Sequence, residues 1–228
     1  MKQLLTANVA TNLYWLGRYI ERIELTLFEI NKAYDKIIDV DKNAGVKLYQ
    51  KFNIELKYTG VLDFLDKAIK GEHAANLANL MVYARENTII ARPYIDSSTF
   101  GEIIELHTLF QKISNSTENI DYKDIDTALS LISEIWGAHE KRGHRKCSDY
   151  FFKLGKLIEE VDFRLRFDKN EETTKHIIDD IYTIFKILDP NFDEKIDTLQ
   201  KQSQNKDTNV QQNLMDDLYK KVNALIVE

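Results

Sequence analysis

The sequence contains few residues that interrupt helices: among its 228 residues there are 8 glycines and 2 prolines. This shortage excludes folds built on many tight turns and favours long helices. Cysteine is scarcer still, because Cys147 is the only one. A disulfide within the chain is therefore excluded, and a lone cysteine without a placed histidine and acid is a poor candidate for a nucleophile.

Long apolar runs are also missing near the beginning of the sequence. Polar side chains such as Asn8, Asn12 and Arg18 interrupt residues 1–22, which therefore fit neither a signal peptide nor a membrane span. Together with the single cysteine, this pattern predicts a cytoplasmic protein without a membrane partner.

Motifs that would hold a cofactor are absent as well. Neither a P-loop nor a G-x-G-x-x-G segment occurs, so no nucleotide cradle is expected. His139 and His144 lie five residues apart and do not share a helix face, as zinc ligands at i and i+4 would. We therefore expect neither a metal nor a cofactor, and the net charge of −6 argues against nucleic acid as a partner.

Apolar residues spaced three and four apart are abundant, and this spacing is the period of an amphipathic helix. Thr99 and Glu102 form a T-x-x-E capping box, which is expected to start one of the helices. Residues 201–212 are polar and fit either a solvated helix or a linker. The pattern predicts an all-α helical bundle with helices over residues 8–36, 46–58, 61–70, 73–92, 98–114, 124–143, 148–167, 174–188 and 214–225.

Two segments of the chain repeat one another. Residues 12–24 read NLYWLGRYIERIE, and residues 150–162 read YFFKLGKLIEEVD. Each segment carries a glycine, Gly17 or Gly155, inside a helix, where glycine costs roughly 0.5–1 kcal/mol relative to alanine. A glycine at the same place in both segments predicts that another helix crosses closely there.

The charged residues of the repeat lie beside the apolar stripe rather than opposite it, so they are predicted to contact a neighbouring helix. The charged stretch from Ala84 to Asn87 is a candidate partner. Three interpretations are open: a salt-bridge network that fixes helix register, a polar pocket for a small molecule or peptide end, or a partner-protein surface. The candidate polar cluster consists of Tyr14, Arg18, Glu21, Glu24, Arg85, Glu86, Asn87, Lys156, Glu159 and Asp162.

A basic run stands out in this acidic chain. Lys141, Arg142, Arg145 and Lys146 follow one another closely at the end of a predicted helix, where cations are favourable. The alternative is a docking patch for an acidic partner, a phosphate or RNA. The two tryptophans, at positions 15 and 136, are expected in the core rather than as stacking platforms.

The repeated segments resemble the alpha-E domain family of bacterial proteins. That family begins with a signature that reads here from Leu13 to Glu24, and it carries an Ala-Arg-Glu-Asn segment that reads here from Ala84 to Asn87. A second Leu-Gly-Arg-x-x-Glu-Arg-x-Asp segment is matched from Leu154 to Asp162. Two departures stand in this copy, because Lys156 and Glu160 each replace an arginine.

The resemblance implies which proteins act together with this chain, but it does not imply a reaction that the chain itself catalyses. Members of the family commonly occur beside circularly permuted ATP-grasp ligases and transglutaminase-like peptidases, so either kind of protein is an expected partner. The resemblance also implies one helical domain over residues 1–228. Within it we expect pseudo-repeated halves at about 1–95 and 122–228, joined by a helix at about 98–114.

Three functions are compatible with these observations. The expected one is an accessory protein that binds a partner or substrate in an ATP-grasp-type amide-bond-forming system and has no catalysis of its own. The second is an enzyme of amide-bond formation or hydrolysis that uses Glu21 or Glu159 as acid–base residues. The third is a structural scaffold with an ionic core.

Overall fold

The computed structural model describes residues 5–143, 146–192 and 210–226, and within these ranges it contains α-helices and no strands. The predicted all-α fold is therefore confirmed, whereas the division into two repeated halves stays a prediction. A short 3₁₀ helix, Arg92–Tyr94, follows the fourth helix. The helices are α1 (Ala7–Asp39), α2 (Ala44–Gln50), α3 (Val61–Lys70), α4 (Leu77–Ile90), α5 (Ser97–Asn115), α6 (Tyr122–Arg142), α7 (Cys147–Arg166), α8 (Glu171–Leu188) and α9 (Val210–Ile226).

Helix α1 is the central element of the fold. It begins at a Thr6 cap, whose hydroxyl accepts a hydrogen bond from the Val9 amide. The helix packs most extensively on α7 and α4 and also contacts α2 and α3. The predicted apolar stripe is fully buried against these neighbours, as expected from its spacing. The stripe consists of Leu13, Leu16, Ile20, Ile23 and Leu27.

The helix predicted over residues 46–58 is shorter in the structure and ends at Gln50. Asn53 adopts a left-handed conformation with φ of 59°, which an α-helix does not accommodate, and Ile54 closes the turn by donating to the Tyr49 carbonyl. The apolar spacing of this stretch therefore continues past the end of the helix. Residues 201–209 of the predicted polar stretch lie outside the described residues.

The predicted capping box at Thr99 is also wrong. Helix α5 starts two residues earlier, at Ser97, with Asp96 as its cap. The Asp96 carboxylate accepts hydrogen bonds from both the amide and the hydroxyl of Thr99. An aspartate accepts such bonds as well as threonine does, so the sequence offered two competing caps three residues apart.

The closest approach in the bundle is between α1 and α7. A Cβ atom built on Gly17 would overlap the Phe152 carbonyl oxygen, and one built on Gly155 would overlap the carbonyl oxygen of Tyr14. The two backbones therefore touch where both helices lack a side chain, which confirms the predicted crossing. Because Glu29 of α1 pairs with Lys169 just beyond the end of α7, the two helices run in the same direction.

Among the described helices, none is both long and apolar enough to cross a bilayer.

Replacing Gly17 or Gly155 by alanine should lower the free energy of unfolding by about 1–3 kcal/mol, because the added methyl group would force the helices apart. Urea denaturation measures this change. Gly137→Ala is the matched control: Gly137 lies in α6, and no atom of another described element lies within 4 Å of its Cβ position, so this change should stabilise by up to ~1 kcal/mol. If Gly155→Ala were as stabilising as Gly137→Ala, the close crossing would be disproved.

Candidate functional site

The crossing of α1 and α7 brings charged side chains into a nearly dry interface. Arg18 is 5% exposed, Glu21 3% and Glu159 2%. Buried charges at this level require partners, since an unpaired one costs several kcal/mol. We use the name charge cluster for the ionic side chains at this crossing: Arg18, Glu21, Arg22, Lys156, Glu159 and Asp162.

Glu159 of α7 is held by two arginines of α1. Arg18 donates to Oε2 from Nε at 2.8 Å, and its Nη2 lies 2.7 Å from the same oxygen. Arg22 donates from Nε to Oε1 and from Nη2 to Oε2 at 2.9 Å. Burial acts to raise the pKa of Glu159, but the two guanidinium groups outweigh it and hold the pKa below its usual range.

Asp162 lies one turn further along α7 and completes this group. Its Oδ2 is 3.7 Å from the Nη2 atoms of both Arg18 and Arg22. Arg18 also donates to the Tyr219 hydroxyl at 3.0 Å, and its guanidinium lies over the rings of Tyr219 and Trp15. Helix α9 is thereby tied to the α1–α7 interface by a planar cation.

Glu21 has a poorer set of partners than Glu159. Its Oε2 is 3.9 Å from Lys156 Nζ, too far for a hydrogen bond, and this buried oxygen has no hydrogen-bond partner among the described residues. Burial raises the pKa of Glu21 well above its usual range; Lys156 acts in the opposite direction, whereas Glu24, Glu160 and Glu159 add to the increase. The ordinary expectation for such a carboxyl is that it binds a proton or a cation.

Glu24 and Tyr14 lie at the margins of the charge cluster. Glu24 accepts a hydrogen bond of 2.8 Å from the Trp136 indole, and Lys156 Nζ lies 4.3 Å from the Trp136 ring centroid. Burial raises the pKa of Tyr14 to about 12, although the neighbouring Arg18 acts to lower it. Tyr14 is therefore a neutral phenol in the physiological range.

The Ala84–Asn87 stretch does not join the charge cluster. Arg85 and Asn87 are half-buried on α4 and Glu86 is exposed, and none of the three pairs with a described member of the charge cluster. Arg85 lies instead near His107 of α5, where it adds to the effect of burial in lowering the pKa of that histidine.

The basic run lies at the loop between α6 and α7. Lys141 and Lys146 are exposed, as both the helix-end and the docking-patch interpretations require. Arg145 and the side chain of Arg142 lie outside the described residues, so the patch as a whole stays a prediction.

The candidate list drawn from the sequence omits two residues that the structure places at the site. Arg22 holds Glu159, and Tyr219 holds Arg18 from the distant α9. The sequence does contain a signal for Arg22: the corresponding position of the second segment, Glu160, is also charged, so a charged residue occurs at this place in both copies. Tyr219 carries no signal of its own, since only the packing of α9 brings it to the crossing.

One surface cavity of the described part of the chain lies elsewhere. It has a volume of about 320 Å³ and lies beside the C-terminal part of α1 and α2, and lysines are among the residues that line it. None of its lining residues belongs to the charge cluster. Within the described ranges, no group of three histidine, cysteine, aspartate or glutamate side chains is placed to hold a metal ion.

Glu159→Gln should lower the free energy of unfolding at pH 7 by about 3–5 kcal/mol, because it leaves the buried Arg18 and the half-buried Arg22 beside a neutral amide. Chemical denaturation checks this value. Glu55→Gln removes a carboxylate whose ion pair with Lys57 is exposed, and should change stability by less than about 0.5 kcal/mol. Equal effects of the two variants would show that the Glu159 pairing does not stabilise the fold.

Glu21 should make the protein less stable as the pH rises. A carboxyl whose folded-state pKa is raised contributes its full stability below the unfolded value of 4.5, and that contribution is lost as the pH rises through the folded value. Glu21→Gln should therefore match the native protein near pH 4.5 and exceed its stability by about 1 kcal/mol or more at pH 8. Parallel stability curves for the two proteins between these pH values would contradict this assignment.

Comparison with known proteins finds a family match for this sequence. No curated protein and no solved structure matches the chain. Residues 5–188 match Alpha-E, described as a predicted alpha-helical domain with a conserved ER motif. The sequence contains one Glu-Arg dipeptide, Glu21-Arg22, and it lies at the centre of the charge cluster. Because the match spans most of its length, the chain belongs to the Alpha-E family.

Proposed function

We propose that this chain is a non-catalytic helical module that binds an ATP-grasp-type ligase of an amide-bond-forming system. The observation that carries the proposal is an exposed apolar surface beside the charge cluster. We name it the aromatic–aliphatic face, and it consists of Trp15 and Tyr19 of α1 and Val82, Tyr83, Ile89 and Ile90 of α4.

The aromatic part of this face is continuous. Trp15 stacks on Tyr19 with ring centroids 5.6 Å apart, and Tyr19 lies 5.8 Å from Tyr83 across the α1–α4 contact. Trp15 is 37% exposed, so its expected place in the core is wrong, whereas Trp136 is buried as expected. Exposed tryptophan and tyrosine side chains are the ones that most often anchor protein interfaces.

Helix α4 is apolar on both sides, which a helix at the surface of a monomer does not need. Its inner side is buried in the bundle through residues such as Leu80, Met81 and Ala84. Its outer apolar residues, Val82, Tyr83, Ile89 and Ile90, are between 40% and 49% exposed. A contiguous apolar surface of this kind marks a site of association.

The Ala-Arg-Glu-Asn segment runs through the same face. Exposed Glu86 lies one helical turn after Val82 and one turn before Ile90, so it stands among the apolar side chains of α4. This placement supports a role for the segment in partner recognition, outside the charge cluster. A charged group surrounded by exposed apolar residues supplies orientation and specificity to an interface.

The ligase is favoured as the partner by the family resemblance and by the chain's own motifs. The sequence has no nucleotide cradle, so any ATP used by the system must be bound by another protein. A helical module that presents a preformed apolar face fits the role of an accessory subunit, and we place it in the cytoplasm with its ligase. A transglutaminase-like protein is the alternative partner.

An enzymatic function is the second candidate, and one observation favours it. Glu21 is a buried carboxyl with a raised pKa and an unpartnered oxygen, properties that general acid–base residues share. Glu159 is less suited to this chemistry, because two arginines hold it as a carboxylate.

The docking proposal is tested with the purified ligase encoded by a neighbouring gene. The native chain should bind it, and Tyr83→Ser with Ile89→Ser should weaken binding at least tenfold, because both changes remove apolar contact area from the face. The matched control is Ile187→Ser, which removes a side chain of similar exposure from α8. Surface plasmon resonance measures all three affinities, and equal values would disprove docking through this face.

The enzymatic candidate makes a separate prediction. If Glu21 were catalytic, the purified chain alone would turn over an amide or peptide substrate, and Glu21→Gln would abolish turnover while leaving the fold intact. We expect no turnover by the chain alone, and measurable turnover that disappears in Glu21→Gln would overturn the accessory role.

A further inference from the structure

The two repeated segments make reciprocal contacts across the crossing. Arg18 of the first segment pairs with Glu159 of the second, and Lys156 of the second faces Glu21 of the first. Position 18 corresponds to 156 and position 21 to 159 in the repeat. Each buried glutamate therefore forms a half-site with the basic residue of the other segment, in the manner of an isologous interface.

The half-site of Glu159 is complete. Both carboxylate oxygens accept hydrogen bonds, and two guanidinium groups share the negative charge. Arg22 is 31% exposed, so its side chain reaches this buried carboxylate from the protein surface. The Glu159 half-site therefore holds two guanidinium groups, one of which, that of Arg22, lies at the solvent-facing edge of the crossing.

The half-site of Glu21 lacks the corresponding cation. The position equivalent to Arg22 is Glu160, which accepts a hydrogen bond from Arg164 at 3.0 Å instead of contributing a positive charge. Glu24, the equivalent of Asp162, adds a further carboxylate, and Lys156 stays 3.9 Å away. Within the described part of the chain, Glu21 Oε2 has no hydrogen-bond partner, whereas Oε2 of Glu159 has two arginines.

We propose that the Glu21 half-site binds a guanidinium group from outside the chain, in the place that Arg22 occupies in the Glu159 half-site. A guanidinium is planar and donates two parallel hydrogen bonds, which matches a carboxylate in a narrow crossing between helices. Glu160 is 22% and Lys156 28% exposed, so the equivalent of the Arg22 position borders solvent.

The surroundings of Glu21 favour a flat cation over a neutral ligand. Glu24 and Glu160 both increase the negative potential there, as their effects on the pKa of Glu21 show. Lys156 Nζ lies 4.3 Å from the centroid of the Trp136 ring, so this ring presents a face to a cation, as the Tyr219 ring does to Arg18. Displacement of Lys156 towards solvent would open the site.

The proposal is tested by calorimetric titration of the full chain with N-acetyl-arginine amide and with the uncharged, nearly isosteric N-acetyl-citrulline amide. We expect the arginine probe to bind at least tenfold more tightly than the citrulline probe. Glu21→Gln should abolish this preference without loss of fold, because it removes the negative charge and keeps the shape of the side chain.

Glu160→Arg provides the sharpest variant, because it supplies the missing guanidinium from within the chain. We expect it to bind neither probe and to unfold at a temperature several degrees above that of the native protein. If Glu160→Arg does not fold, the Glu21→Gln comparison alone decides the matter. Equal affinities of the native chain for both probes, or no binding of either, would overturn the proposal, since a proton or a water molecule would then satisfy Glu21.

A pentapeptide with a central arginine identifies the source of the group. Tighter binding than that of the single blocked residue indicates a polypeptide arginine, and equal binding indicates a small molecule; both results support a guanidinium site. The proposal is independent of docking through the aromatic–aliphatic face, because the probes do not require Tyr83 or Ile89.

Discussion

The close contact between α1 and α7 at Gly17 and Gly155 is the constraint on which the rest of the structure depends. With no side chain at either position, the two backbones touch, and neighbouring residues on both helices are drawn into the interface. The side chains one residue and one turn away are charged, so the crossing excludes water from groups that would otherwise be hydrated. Such charges require partners, and the reciprocal pairing of the segments provides them fully for Glu159 and incompletely for Glu21.

That pairing is uneven, and the unevenness is the basis of the proposed guanidinium site. The two guanidinium groups on Glu159 connect α1 to α7, and the hydrogen bond from Arg18 to Tyr219 connects α9 to the same group. Glu21 faces Lys156 at 3.9 Å. Glu160 occupies the position that corresponds to Arg22, so a second cation is missing from this half-site in the described structure. The ion pairs of Glu159 are those expected of an ionic core, whereas Glu21 has a raised pKa and an oxygen without a hydrogen-bond partner in the described residues. The apolar surface formed by Trp15, Tyr19 and α4 lies beside this crossing and is the proposed docking face, separate from the Glu21 half-site.

Much of the fold could be predicted from the sequence, because the apolar spacing of α1 and α7 is regular and glycine at equivalent positions has one simple explanation. The partners of the charges were harder to predict, since Arg18 and Glu21 are spaced to pair with each other, and only the packed helices show that Arg18 reaches Glu159 instead. Trp15 could not be assigned by residue type, because tryptophan occurs both in cores and at exposed surfaces, and only the packed structure shows it to be 37% exposed. Whether the ten-residue candidate cluster acts as one site stays a prediction, although the structure separates Arg85, Glu86 and Asn87 from the paired charges.

The central claim is that the two buried glutamates of the crossing are unequally paired, Glu159 with two arginines and Glu21 with a lysine 3.9 Å away. Carbon-detected NMR titration of the side-chain carboxyl groups, assigned through Glu21→Gln and Glu159→Gln, measures this directly. The structure predicts that the pKa of Glu21 lies well above the ordinary glutamate value and that the pKa of Glu159 lies below it. Ordinary values for both, or the reverse order, would contradict the pairing and the guanidinium site that rests on it.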